Sequence, residues 1–122
     1  MKTFFYTIVF SLLVTCCNKK DNIVESVNTM DIYSEKFNNR KLRDSLANKA
    51  IYSNDTMAYR QLQEIYYLSN NSNELYYYAL LMYNKNQYKR SAKDLYFILN
   101  KIRIDEKTDK LAKEYLEKSK VR

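Results

Sequence analysis

The sequence predicts an all-α fold of about five helices, two helix pairs followed by a C-terminal capping helix, and three observations carry that expectation. Apolar residues recur three and four apart along most of the chain from Leu42 onward. Glycine and proline are both absent, which removes the usual hairpin residues, while Asn, Asp and Ser gather between the periodic stretches, where helix caps are needed. The chain also repeats itself at an offset of 33: Leu42 falls on Leu75, Leu46 on Ala79, Ala58 on Ser91, Leu62 on Leu95 and Ile65 on Ile98.

In chain order, the first helix is built on Leu42, Leu46 and Ala50, the second on Ala58, Leu62 and Ile65, and the third on Leu75, Ala79 and Met82. The fourth follows on Tyr88, Ser91, Leu95 and Ile98, the fifth on Leu111, Ala112, Tyr115 and Leu116. The separators are Ser53-Asn54-Asp55, Ser69 to Asn73, Asn84-Lys85-Asn86 and Arg103 to Asp105. A second application of the offset sets Ala79 on Ala112 and Met82 on Tyr115, so the last helix reads as the first helix of an unfinished third unit. Residues 39–122 are expected to form this domain. Residues 16–38, polar with scattered apolar positions, are expected to be a partly ordered tether that gains a short helix.

Length and composition bound what such a domain can be. A chain of 122 residues allows one small domain, and 46% hydrophobic residues are enough to fill its core. The N-terminus predicts export. Lys2 precedes the apolar run Phe4 to Val14, which is too short to span a bilayer comfortably and reads as the core of a signal peptide over residues 1–15. Removing it takes away Lys2 alone among charged residues, leaving 20 basic against 14 acidic side chains. That excess favours anionic lipid head groups and cell-wall polymers in an exported protein, and no nucleic acid is expected as a partner.

Leu13-Val14-Thr15-Cys16-Cys17 resembles the lipobox of bacterial lipoproteins, with an apolar residue three positions before a cysteine that becomes acylated. Cys16 has Leu13 in the favoured place. Cys17 has Val14 and carries Cys16 at the small-residue position, so both stand as lipidation candidates. The resemblance implies an exported protein anchored by palmitate-type lipid to an envelope membrane, with the outer membrane as the expected address. Both cysteines of the chain lie here, so the remaining domain has no disulfide framework.

Tyr76, Tyr78, Ala79, Met82 and Tyr83, then Asn86, Tyr88, Ser91, Leu95 and Ile98, resemble one tetratricopeptide-type repeat. In that pattern a small residue on the first helix admits the second helix closely, an aromatic opens the second helix, and a small residue follows. Ala79, Tyr88 and Ser91 occupy those places, and Asn86 stands where the family usually has glycine, implying a positive φ there. The family resemblance also implies a concave side lined by the first helices. Tyr76, Leu80, Tyr83 and Asn84 fall on it, joined at the 33-residue offset by Arg40 and Arg43 behind and by Asp109, Lys113 and Leu116 ahead. Aromatic anchors beside arginine suit a protein partner, although Leu80 and Tyr83 also suit packing against Ala47 and Ala50 of the preceding helix.

No catalytic residues are expected. Histidine is absent, so zinc sites and histidine-based nucleophilic catalysis lack their parts, and no metal, cofactor or small-molecule substrate is expected. Asp105, Glu106 and Asp109 stand at the start of the last helix, where acidic side chains meet the helix dipole. Glu64, Glu74 and Asp94 read as isolated acids among exposed neighbours. The chain is therefore expected to be a non-enzymatic lipoprotein, an adaptor or assembly factor of the envelope or a secretion machine. The alternative is an immunity or inhibitor lipoprotein that neutralises a toxin or hydrolase outside the cytoplasm.

Overall fold

Short polar side chains start most of the helices. The computed structural model describes residues 28–120, so the leader and both lipidation candidates, Cys16 and Cys17, lie outside the described residues. The described residues form six α-helices: α1 (Thr29–Asn38), α2 (Arg40–Tyr52), α3 (Thr56–Leu68), α4 (Tyr76–Asn84), α5 (Lys89–Ile102) and α6 (Glu106–Lys120). A 3₁₀ turn, Ser72–Leu75, runs directly into α4, and no strand occurs among the described residues. Asn28 Oδ1 accepts from the Met30 amide at 3.1 Å, Asn39 Oδ1 from Leu42 at 3.1 Å, and Asp55 Oδ1 from Met57 and Ala58 at 2.9 and 3.0 Å. Asp105 Oδ1 accepts from the Thr108 amide at 2.7 Å. Each such cap satisfies amides that the helix cannot pair itself and stabilises by about 1 kcal/mol.

The expected all-α architecture of two helix pairs and a capping helix is present. α2 packs on α3, α4 on α5, and α6 lies along α5, while α4 also meets α2. The 33-residue period extends to the backbone. Asn54 and Gln87 take φ of 52° and 53°, and Asn70 and Arg103 take φ of 62° and 31°; these are the turns inside each pair and after each pair. Leu62 and Leu95 are both wholly buried, as are Ala50, Ala79, Met82 and Leu75. Ala79 and Ala112, one period apart, are both buried, and their small side chains let the facing helices approach.

One detail differs from the sequence expectation. Asn86 does not take the positive φ that the repeat resemblance implies; the left-handed residue is Gln87. Asn86 instead turns inward, and its Nδ2 donates to the carbonyls of Ala50 and Ile51 at 3.0 and 3.2 Å, tying the second pair to the end of α2. The short helix expected in the stretch read as a tether is α1, which makes six among the described residues. It packs chiefly on α3, where Tyr33 and Phe37 rest against the core, and the Phe37 ring meets Tyr66 edge-on at 5.3 Å.

Candidate functional site

Tyr59, Gln63 and Tyr67 are four residues apart on α3 and so share one side of that helix. Opposite them α5 presents Asp94. Tyr59 Oη donates to Asp94 Oδ2 at 2.8 Å, Gln63 Nε2 donates to Oδ1, and Tyr67 Oη reaches the same oxygen at 3.4 Å. Asp94 is only 3% exposed, which corrects the reading of it as an isolated surface acid. Burial raises its pKa above the ordinary carboxylate value, against the opposing pull of the three donors and of the Arg90 charge. Burial and the nearby carboxylate likewise push the Tyr59 and Tyr67 phenols upward, so both remain donors.

Above this cluster opens a cleft of about 690 Å³. The half-buried Gln63 and Tyr67 and the buried Asp94 form its floor, the exposed Arg90, Lys93 and Phe97 its flank, and Ser119 of α6 also lines it. Sequence reasoning missed this site because Asp94 lies 27 to 35 residues from its donors. The spacing of Tyr59, Gln63 and Tyr67 was the available clue: three polar-tipped side chains on one helical stripe need a common acceptor.

The residues expected on the concave side are placed as follows. Tyr76, Leu80 and Tyr83 are half-buried along α4 and packed against the core, and Asn84 is exposed at its end. Tyr83 stands edge-on to Tyr115 of α6 at 5.6 Å, with the Lys118 ammonium 5.9 Å from its ring. Burial, then the neighbouring Tyr76 and Tyr83 hydroxyls, push the Tyr115 phenol upward. Arg40 is exposed and pairs with Asp44 at 3.5 Å. One period ahead, Asp109 pairs with Lys113 at 2.7 Å.

Arg43 sits apart from these, between α1, α2 and α3. Its guanidinium carbon lies 4.5 Å from the Phe37 ring centre and 5.9 Å from that of Tyr66, and Nη1 donates to Tyr66 Oη at 3.3 Å. Its Nε is buried without a hydrogen-bond partner. Burial pushes the Tyr66 phenol up to about 12, with the Arg43 hydrogen bond opposing the shift. The structure thus ties Arg43 to α1 and leaves Arg40 and Asn84 as the exposed polar ends of the first-helix side.

The acids at the start of α6 act on their own helix. Asp105 accepts from the Thr108 amide and hydroxyl, which holds its carboxyl below the ordinary value, and Lys113 does the same for Asp109. Comparisons with protein-family models, with curated proteins and with solved structures return no match.

Proposed function

We propose that this chain is an exported, lipid-anchored scaffold that binds a protein partner, as an adaptor or assembly factor of an envelope or secretion machine. The observation that carries the reading is the repetition of α2 and α4 at one backbone register. On α4 this supports reading the half-buried aromatic and aliphatic stripe Tyr76, Leu80 and Tyr83 as a contact surface, with the exposed Asn84 at its end and the exposed Arg40 on α2. Such stripes give large contact area at little conformational cost when a partner covers them. The lipobox-like Leu13 to Cys17 segment supports anchoring at Cys16 or Cys17. No described helix is long and apolar enough to cross a membrane.

Photo-crosslinking tests the partner. A crosslinker at the exposed positions 40 and 84, in native envelope membranes, is expected to capture one and the same envelope protein. Capture of a secreted toxin or hydrolase would replace the adaptor reading with the immunity one, and no capture from either position refutes both. For the anchor, the Cys16→Ser, Cys17→Ser double variant is expected to lose labelling by radioactive palmitate and to leave the membrane fraction. Its retention there with unchanged labelling by radioactive palmitate refutes lipidation at these residues.

A further inference from the structure

The cleft over Asp94 lies on the second helices, α3 and α5, away from the first-helix stripe, and its chemistry is unequal. At its floor the Asp94 carboxylate already accepts three hydrogen bonds. On its flank the side chains of Arg90 and Lys93 are exposed, and neither forms an ion pair among the described residues. Phe97, one turn further along α5, is 47% exposed, with the Lys93 ammonium 5.7 Å from its ring centre. Two cations one helical turn apart, beside an uncovered aromatic ring, complement a carboxylate placed next to an apolar group.

We infer that this cleft is a docking site for an acidic peptide segment, whose carboxylate lies between Arg90 and Lys93 and whose neighbouring apolar side chain covers Phe97. Charge complementarity selects this occupant. Asp94 is the only acid among the described lining residues, and its oxygens are turned to Tyr59, Gln63 and Tyr67, so the two exposed cations Arg90 and Lys93 outnumber it and face the solvent side where an anion enters. The volume of about 690 Å³ accommodates two or three side chains and not a folded domain. This site stands whether or not the first-helix stripe takes a partner.

The test uses the full-length chain in nonionic detergent and two dye-labelled peptides, Ala-Glu-Leu-Glu-Ala and Ala-Gln-Leu-Gln-Ala, read by fluorescence anisotropy. The Glu peptide is expected to bind about tenfold more tightly than the Gln peptide, the equivalent of one charge-assisted hydrogen bond. Its affinity is expected to fall with salt. An Arg90→Gln, Lys93→Gln double variant, altered only at exposed side chains, is expected to lose that advantage, and Phe97→Ala to weaken both peptides. Equal binding of the two peptides, or a Glu advantage that survives in the double variant, overturns the site. A cleft that ignores the peptide while phosphatidylglycerol vesicles bind in an Arg90- and Lys93-dependent way also overturns it, in favour of a lipid surface.

Discussion

Replacing Asp94 with alanine takes away the acceptor of a donor that is buried in the parent. Tyr59 is wholly buried, and its hydroxyl donates to Asp94 at 2.8 Å; left without an acceptor, a buried donor costs about 1–3 kcal/mol. Gln63 and Tyr67 are half-buried and line the cleft, so water satisfies them in the variant and they add little. Releasing a buried carboxylate from desolvation offsets part of the loss, which leaves an expected net destabilisation in the lower part of that range, about 1–2 kcal/mol. Tyr59→Phe removes the donor instead and is expected to cost about 1 kcal/mol. The double variant is expected to be more stable than the sum of the two, because the phenylalanine no longer needs the lost acceptor. Urea denaturation followed by circular dichroism measures all three midpoints at a common slope. An Asp94→Ala midpoint equal to that of the parent refutes the reasoning. So does additivity of the two substitutions within about 0.5 kcal/mol, since residues in one hydrogen-bond network couple.

Further outcomes follow from the same geometry. Asp94 holds its proton more tightly in the folded chain than in the unfolded one, where carboxyls titrate near about 3.9. The parent is therefore expected to gain stability over Asp94→Asn as pH falls through the folded pKa toward that value, and to show no such gain above it. Asp105 and Asp109, lowered instead, contribute stability that is lost on acidification, and they cancel in this difference because both proteins carry them. A difference that is flat with pH contradicts the raised pKa. Ala79→Leu, at a wholly buried position between packed helices, is expected to cost about 1–3 kcal/mol by overpacking, and an unchanged melting temperature removes the tight crossing. Gln87→Gly relieves a left-handed residue at φ 53° and is expected to raise stability by up to about 1 kcal/mol. The same change at Lys85, a helical residue with φ −84°, is expected to lower it, and equal effects at the two sites refute the strain.

The fold was legible where a residue's role depends on its own helix. Leu62 with Leu95 and Ala79 with Ala112 sit at the core because three- and four-residue spacing keeps them on the inner face, and the offset of 33 carries that face from one unit to the next. Asn39, Asp55 and Asp105 announce helix starts through a side chain that reaches only two or three residues ahead. Gln87 and Arg103 announce nothing locally, since neither residue type favours positive φ. Only the period relates them to Asn54 and Asn70, which do. Helix α1 was harder to place because its apolar residues are few, and it owes its docking to Tyr33 and Phe37 finding a surface made by α3. Asp94 was illegible for a related reason: a hydrogen bond between distant segments leaves no periodic trace at the acceptor, whose own neighbours Lys93 and Arg90 point to solvent.

The Asp94 cluster also bears on how the helix pairs are held together. Apolar contacts between two helix pairs permit small slides and rotations at little cost, whereas hydrogen bonds weaken steeply when their angles change. Three of them converge from α3 on one carboxylate of α5, so the cluster works as a brace that fixes the pitch from one pair to the next. Because α2 packs on α3 and α4 on α5, the brace also fixes how those two helices sit. Under the scaffold function proposed above, a surface held in its final shape before contact loses less entropy when it is covered, and the buried acid would then aid recognition at a distance from any residue that touches the partner.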